Sequence, residues 1–245
     1  MMGMFDKRRK NLGLSLTTNK KTLHKNLEFT ATEQYKLLRT NLNFTLPEDL
    51  KCPIIGITSS MRGEGKSTTA VNLSYVLAEN GQNVLLIDGD LRIPSIAKKM
   101  EIKNSPGLTD LLMGFEKQQL SAFKSNILDN WYIIPSGNLP PNPSELLGSC
   151  RMETILKVLS EKFDYIIIDL PPVNVVSDAL TISKLITGMI VVIRVDYTEK
   201  KELETCFRQL KLSNVKVLGC VMNESKDEKG TYNKYKKYYN YTSNN

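Results

Sequence analysis

The stretch MRGEGKSTT constrains the fold most, because of what stands on either side of it. The apolar run PIIGITSS before it predicts a buried strand, and GKSTTAVNLSYVLAENG predicts a helix that stops at a glycine. Four residues match the second half of the Walker A pattern G-x-x-x-x-G-K-[ST]: Gly63, Gly65, Lys66 and Ser67. Ser60, another small residue, occupies the position of the first glycine. A strand, such a loop and a helix in that order indicate a phosphate-binding site.

Each part of this loop has a chemical reason. Backbone N–H groups can turn inward around phosphate oxygens, and the helix N-terminus adds partial positive charge. Lys66 can reach the β- and γ-phosphates of ATP, and the Ser67 hydroxyl can bind Mg²⁺. We therefore predict an ATP site that also includes the end of the last strand, with these residues: Arg62, Gly63, Glu64, Gly65, Lys66, Ser67, Thr68 and Asn223.

Apolar runs and helical patterns alternate along the rest of the chain. Further strands are predicted at NVLLIDGD, WYIIPSG, FDYIIIDLPP, MIVVIRVD and VKVLGCVMN. Further helices are predicted at TDLLMG, SELLGSCRMETILKVLSEK, SDALTISKLI and KELETCFRQLKLS. Continuous Val/Ile/Leu runs between helices predict an α/β fold, with a mostly parallel sheet covered by helices on both faces.

A further helix is predicted ahead of the first strand, at TATEQYKLLRTNLNF. Tyr35, Leu38 and Leu42 recur at helical spacing, and Thr30 followed by Glu33 fits a capping box. This helix opens the predicted globular domain, residues 29–225, which follows a basic arm, residues 1–28.

Two predicted strands end in acidic residues. LLIDGDLR places Asp88 and Asp90 at the end of one strand, and YIIIDLPP places Asp169 at the end of another. The carboxyl ends of parallel strands share one edge of a sheet, where ligands bind. We expect one acid to order Mg²⁺ and another to face the nucleophile, although a turn or helix-cap role for Asp88 or Asp90 stays open. The predicted metal ligands are Ser67, Asp88 and Asp169.

The charge is concentrated at the two ends of the chain. Of the formal charge of +7, residues 1–25 hold seven basic residues against one acid, and residues 226–245 hold five lysines against two acids. Basic ends suit an anionic membrane, nucleic acid or an acidic partner, and solvated termini are the simpler alternative. Residues 226–245 contain no Leu, Ile or Val, so we expect a mobile tail. That tail carries five tyrosines: Tyr232, Tyr235, Tyr238, Tyr239 and Tyr241.

Other classes of protein are disfavoured. The four cysteines form no C-x-x-C pair and His24 is the only histidine, so a disulfide framework or zinc site is improbable. No apolar stretch approaches the ~20 residues of a membrane helix. We therefore expect a cytosolic protein whose membrane contact is peripheral or made through a partner.

These motifs together resemble one family. SSMRGEGKSTTAVNL, VLLIDGDLRIPSI, PPNPSELLGS and YIIIDLPPV, with a terminal tyrosine cluster, are similar to bacterial tyrosine kinases (BY-kinases) of the cytoplasmic CpsD/CapB type. The resemblance implies a MinD-like P-loop fold and transfer of the γ-phosphoryl of ATP to tyrosines, mainly on the tails of other subunits. It also implies a role in capsular or exopolysaccharide synthesis, a transmembrane adaptor that places the kinase at the inner face of the cell membrane, and a cognate phosphotyrosine phosphatase. No specific nucleic acid is expected.

The resemblance assigns roles to residues. Lys66 and Ser67 belong to Walker A, Asp88 and Asp90 to the second motif (Walker A′), and Asp169 to Walker B. The implied catalytic residues are Lys66, Asp88, Asp90 and Asp169, and the tail tyrosines are the implied phosphoacceptors. Because a free Asp has a pKa near 4 and Tyr one near 10, we expect Asp88 to orient the hydroxyl and accept its proton late.

The predicted first helix carries the implied oligomer interface. Glu33, Lys36 and Arg39 match the family's E-x-x-R-x-x-R, which joins subunits into a ring. Lys36 stands at the middle arginine, where it keeps the charge but loses bidentate geometry, so the ring is expected to be weaker or absent.

Two other functions are compatible with parts of this pattern. A MinD/ParA-type positioning ATPase usually carries a signature Lys early in the loop, where this chain has Met61, with Arg62 next to it. A non-catalytic scaffold would not need the intact set of Lys66, Ser67, Asp88 and Asp169. Production of phosphotyrosine separates the kinase from both.

Overall fold

The apolar runs form one six-stranded sheet in a computed structural model, which describes residues 23–114 and 123–224. The strands are β1 (Ile54–Ser59), β2 (Val84–Asp88), β3 (Trp131–Ile134), β4 (Tyr165–Asp169), β5 (Gly188–Arg194) and β6 (Val217–Asn223). The helices are α1 (Phe29–Thr45), α2 (Lys66–Glu79), α3 (Ile96–Met100), α4 (Leu108–Met113), α5 (Pro143–Leu147), α6 (Cys150–Ser160), α7 (Asp178–Thr181) and α8 (Lys200–Leu212). Within these two described ranges, 3-10 turns lie at His24–Asn26 and Ile182–Leu185.

The strand order is β3-β2-β4-β1-β5-β6, and every neighbouring pair of strands is parallel. All six carboxyl ends therefore lie along one edge of the sheet. Asp88 of β2 stands directly opposite Asp169 of β4 in the register, and β1, which leads into the glycine-rich loop, lies on the other side of β4. The predicted parallel α/β fold is confirmed, and it brings the three predicted motifs together.

The central strands are buried on both faces, which explains why β2 and β4 are apolar up to the aspartate that ends each of them. Along β2, Val84 and Leu86 belong to one core cluster, whereas Leu85 and Ile87 belong to the cluster on the opposite face. The first cluster contains the fully buried Trp131, whose Nε1–H donates to the Ser74 hydroxyl at 3.1 Å. Helix α2 supplies Ser74 and is buried along most of its length, so the glycine-rich loop is anchored at both ends.

Several predicted helix details were wrong. The single helix predicted over SELLGSCRMETILKVLSEK is in fact two helices. The first ends before Gly148, and the Ser149 side chain caps α6 by accepting from the Met152 N–H. Helix α3 was not predicted. Its first N–H groups, on Ser95 and Ile96, donate to the Asp88 carboxylate, which is a tertiary contact that no local pattern encodes.

The capping box predicted at Thr30 was also wrong. Helix α1 begins at Phe29, with Glu28 as its N-cap residue and no side-chain cap. Glu33 instead pairs with Lys36, whose Nζ lies 2.9 Å from its Oε1. Ahead of the helix, Leu23 is buried, so the chain already packs on the domain before residue 29. No helix within the described ranges is long and apolar enough to span a membrane.

Candidate active site

The glycine-rich loop needs its glycines for conformation and for space. Gly63 and Gly65 have φ values of +82° and +98°, in the left-handed region that favours glycine. A Cβ on Gly65 would meet Nδ2 of Asn223 at 2.0 Å. Asn223 lies at the end of β6, and its Nδ2 donates to the Glu64 carbonyl at 3.0 Å. The end of the last strand thus lies against the loop, where the sequence placed it.

Glu64 supports the loop from inside the protein. Its side chain is fully buried and accepts from the Ser60 hydroxyl at 2.7 Å and the Met61 N–H at 3.0 Å. The Thr198 hydroxyl donates to the same carboxylate. The Glu64 side chain therefore shapes the loop and does not project into the predicted ATP site. Ser60 and Thr198 are the partners that sequence reasoning missed.

A second set of contacts holds the outer side of the loop. Arg194 donates to the Gly63 carbonyl at 3.2 Å and pairs with Glu224, and its guanidinium lies 4.9 Å from the centre of the Tyr197 ring. The Tyr197 hydroxyl donates to the Arg62 carbonyl at 3.2 Å, while the Arg62 side chain is exposed. These contacts are made by residues of β5 and of the turn after it, and no sequence motif predicts them.

Lys66 lies at the centre of the acidic cluster. Its Nζ is 2.9 Å from Oδ2 of Asp90, 3.4 Å from Oδ1 of Asp169 and 3.3 Å from the Ser67 hydroxyl. Burial lowers the pKa of Lys66, but the charges of Asp169 and Asp90 outweigh it and raise the pKa overall. Lys66 therefore remains charged in the folded protein. The structure brings together all four predicted catalytic residues.

Asp88 is fully buried and accepts three backbone N–H groups, from Asp90, Ser95 and Ile96. Both roles that the sequence left open are therefore compatible with its position: it accepts from the N–H groups at the start of α3, and it lies opposite Asp169 in the sheet. Burial, with the charge of Asp169, raises the pKa of the Asp88 carboxyl to about 7. The pKa near 4 of a free aspartate therefore does not describe Asp88, because burial disfavours its charged form and the neighbouring Asp169 adds repulsion.

The donor set fits a Mg²⁺ ion that also binds substrate. The Asp169 carboxylate is fully buried, and its Oδ2 has no hydrogen-bond partner. Ser67 lies beside it at the start of α2. In the described part of the chain, no group of three or more His, Cys, Asp or Glu side chains is arranged as a metal site. Such a sparse set suits Mg²⁺, which takes its remaining oxygen ligands from phosphates and water.

A cavity of about 760 Å³ opens over the loop. The predicted ATP-binding residues along its wall are Arg62, Gly63, Gly65, Lys66, Ser67, Thr68 and Asn223, with Asp90 of the second motif. Sequence reasoning missed its other side, to which Tyr35, Asn72, Ser95 and Lys99 contribute. Apolar spacing predicted only that Tyr35 lies on the apolar face of α1; it packs partly against the core and also lines the cavity. Neither α3 nor Lys99 carried a recognised signal.

Arg92 joins the second motif to the rest of the domain. Its guanidinium makes a bidentate contact with Asp178, at 2.9 and 3.0 Å, and donates to the Ser144 hydroxyl at 3.2 Å. Asp178 is fully buried at the start of α7. This contact connects the loop after β2 with α5 and α7.

The three predicted interface residues lie on α1. Glu33 and Lys36 pair with each other, and Arg39 donates to the Val76 carbonyl at 2.7 Å. All three are partly exposed. The five tail tyrosines and the basic residues 1–22 lie outside the described residues.

A family model described as an AAA domain matches residues 52–218. The tyrosine-protein kinase YwqD of Bacillus subtilis (strain 168) is 37% identical over 180 residues, which cover 73% of this chain and 75% of the relative.

The chain belongs to the bacterial tyrosine-protein kinase family.

A second relative within this family is the tyrosine-protein kinase CpsD of Streptococcus pneumoniae serotype 4. It is 35% identical over 175 residues, which cover 71% of this chain and 77% of the relative. The family resemblance predicted from the motifs is thereby confirmed.

Solved structures agree with this placement. The chimerical protein CapA2B2 matches at a TM-score of 0.75 and 30% identity, over 82% of this chain and 87% of that one. The kinase domain of the Escherichia coli tyrosine kinase ETK matches at a TM-score of 0.72 and 30% identity, over 80% and 78%. The septum site-determining protein MinD of Pyrococcus horikoshii, complexed with Mg-ADP, matches at a TM-score of 0.58 and 25% identity, over 73% and 72%. The fold of this kinase family member is thus a P-loop fold shared with MinD.

Proposed function

We propose that this chain is an ATP-dependent protein-tyrosine kinase that phosphorylates its C-terminal tyrosine cluster in trans. One observation carries the proposal: in a tyrosine-kinase family member, the loop lysine Lys66 lies between Asp90 and Asp169 at the carboxyl edge of a parallel sheet. Here residues 29–225 form the kinase domain, residues 1–28 a basic arm, and residues 226–245 the acceptor tail.

Catalysis in this proposal is positioning with charge stabilisation. The loop N–H groups and Lys66 hold the phosphates, and the Lys66 ammonium neutralises charge that develops on the transferred group. Ser67 and Asp169 would hold Mg²⁺, which would neutralise the β- and γ-phosphates when bound. Asp88, whose oxygens already accept three backbone N–H groups, is left to serve the acceptor tyrosine. The acceptor tyrosine oxygen forms the new P–O bond while the bond to the β-phosphate oxygen breaks. Asp88 orients the phenol and receives its proton late in the transfer.

The start of the tail supports transfer to tyrosines outside the core. Asn223 and Glu224 line the cavity, and the described chain ends at Glu224. The tail that follows therefore starts beside the phosphate loop. Twenty extended residues span at most ~70 Å, which brings the site of a neighbouring subunit within reach.

We further propose that the kinase acts in capsular or exopolysaccharide synthesis. The cytoplasmic segment of a transmembrane adaptor would hold it at the inner face of the cell membrane. A phosphotyrosine phosphatase would remove the phosphate groups that it adds. Self-association would use the face of α1 that carries Glu33, Lys36 and Arg39. The pair between Lys36 and Glu33, with Arg39 turned to the Val76 carbonyl, supports the weaker ring expected from a lysine at the middle position.

The experiment is phosphotyrosine mapping by mass spectrometry after incubation with Mg-ATP. Wild type and Lys66→Met are compared, each with and without the cytoplasmic segment of the adaptor. We expect phosphate on Tyr232 to Tyr241 in wild type only. A MinD/ParA-type ATPase is the second candidate, favoured by the shared fold and by Arg62. Steady phosphate release without phosphotyrosine, even with the adaptor, would replace the kinase proposal with that one.

A further inference from the structure

Lys99 is a cation of the cavity wall that the family motifs do not account for. It lies on α3 and projects to Thr68, with its Nζ 3.2 Å from the Thr68 hydroxyl. Thr68 is the third residue of α2, directly after Lys66 and Ser67. The ammonium group therefore lies at the first turn of the helix whose free N–H groups form the phosphate site.

The surroundings of Lys99 differ from those of Lys66. Lys66 already has two carboxylate partners, Asp90 and Asp169. Among the residues that the structure describes, no carboxylate lies within 4.0 Å of the Lys99 ammonium, and its hydrogen bond goes to a neutral hydroxyl. A partly buried cation without an anion loses hydration that a single hydroxyl replaces only in part. An anion that enters the cavity would supply the missing partner.

The backbone under Lys99 is held in place. Helix α3 starts at Ile96, and its first N–H groups, on Ser95 and Ile96, donate to the buried Asp88 carboxylate. Ile96 itself is fully buried. Lys99 thus projects from a short helix that is tied to the second motif, whereas its neighbour Lys98 is exposed and lines no part of the cavity.

We propose that Lys99 is a second phosphate-binding cation of this site, and that it holds the part of a nucleotide's phosphate chain that lies against Thr68. The proposal rests on the proposed function only in that the ligand is a nucleoside di- or triphosphate. Lys66, among the acids, serves the transferred phosphoryl group, while Lys99 serves phosphate that stays with the nucleotide. Lys99 therefore contributes to binding and leaves the transfer step itself unchanged.

The test is calorimetric titration of the full chain with ADP, with Mg²⁺ and with EDTA. The variants are Lys99→Met, Lys99→Gln and Lys99→Arg, with Lys98→Met as the matched control on the same helix. Lys99→Gln can keep a hydrogen bond to Thr68 without the charge, so it separates phosphate binding from a structural role. We expect Lys99→Met and Lys99→Gln to weaken ADP binding about tenfold or more, because a hydrogen bond to a charged group is lost. Lys99→Arg should restore most of the affinity, and Lys98→Met should stay within about twofold of wild type.

Two further readouts decide the outcome. The melting temperature of ligand-free Lys99→Met and Lys99→Gln should equal or exceed that of wild type, because the charge removed has no anionic partner, and the KM for ATP should rise while kcat stays unchanged. Normal ADP affinity in Lys99→Gln, or a lower kcat at unchanged KM, would overturn the proposal. ADP binding needs no acceptor tyrosine, so a wild type that binds ADP but makes no phosphotyrosine even with the adaptor segment would refute the kinase and leave the role of Lys99 standing.

Discussion

Strands β4 and β6 both bring a polar side chain to the carboxyl edge of the sheet, but β4 lies in its centre and β6 at its rim. Asp169 at the end of β4 is fully buried and contacts Lys66. Asn223 at the end of β6 reaches the loop from the side, through the Glu64 carbonyl. Along β6, Met222 is 65% exposed, whereas Ile168 of β4 is completely buried.

This difference separates two ways of building one site. In the centre, water is excluded, so charges act strongly on one another and shift each other's pKa values. At the rim, charges would be screened, and a neutral amide acts through shape and a single hydrogen bond. The proposed chemistry is therefore assigned to the ends of β1, β2 and β4, whereas residues of β5 and β6 support the loop.

The largest effect should come from removing the central charge. Asp169→Asn keeps the shape but removes the carboxylate that contacts Lys66, so we expect phosphotyrosine formation to fall about 10²–10³-fold. The measurement is single-turnover transfer at saturating Mg-ATP. A variant that folds normally and keeps more than about a tenth of the rate would contradict the central role.

Truncating a side chain should also cost more stability in the central strand β4 than in the edge strand β6. Ile168→Ala leaves a cavity in a fully buried place and should lower the free energy of unfolding by about 3 kcal/mol. Met222→Ala removes a side chain that is mostly exposed and should change it by less than about 0.5 kcal/mol. Urea unfolding of both variants measures the difference. Equal losses would show that β6 is covered in solution.

The buried acid pair should make stability depend on pH. The pKa of Asp88 is about 7 when folded, above that of a free aspartate, so the folded protein holds a proton that the unfolded chain has released. The stabilisation of the folded state by this proton is therefore complete below about pH 4 and is lost as the pH rises through about 7.

The measurement is the melting temperature between pH 5 and 8, without nucleotide and with EDTA. Wild type should lose stability toward pH 8, and Asp88→Asn, which cannot ionise, should show a flatter profile. A wild-type profile that rises with pH across this range would show that the Asp88 carboxyl is stabilised in its charged form.

The smallest effect should come from the rim amide. Asn223→Ala removes one hydrogen bond to the Glu64 carbonyl, a loss of about 1 kcal/mol, so ADP should bind about fivefold more weakly. Asn41→Ala, on an exposed position of α1, is the control for a general effect of losing an amide. If Asn223→Ala matched Asp169→Asn in its effect on transfer, the distinction between centre and rim would fail.

Most of the site could be predicted because its residues are adjacent in the chain. Gly63 to Ser67 form a continuous motif, and Asp88, Asp90 and Asp169 each end an apolar run. Tyr35, Lys99, Thr198 and the pair of Arg92 with Asp178 could not be assigned, because their partners lie on other elements. The break at Gly148 was missed because the helical pattern continues on both sides of it.

The sequence by itself determined the six strands, most of the helices, the parallel sheet and the phosphate loop, since each depends on local spacing and on apolar runs. Only the tertiary structure decided that β4 is central and β6 is at the rim, because the two apolar runs look alike in isolation. Strand order sets how much water reaches the end of each strand. Burial in turn decided that Asp88 titrates near neutral pH, that Asn223 supports the loop, and that the Lys99 ammonium lies beside Thr68 without a carboxylate partner.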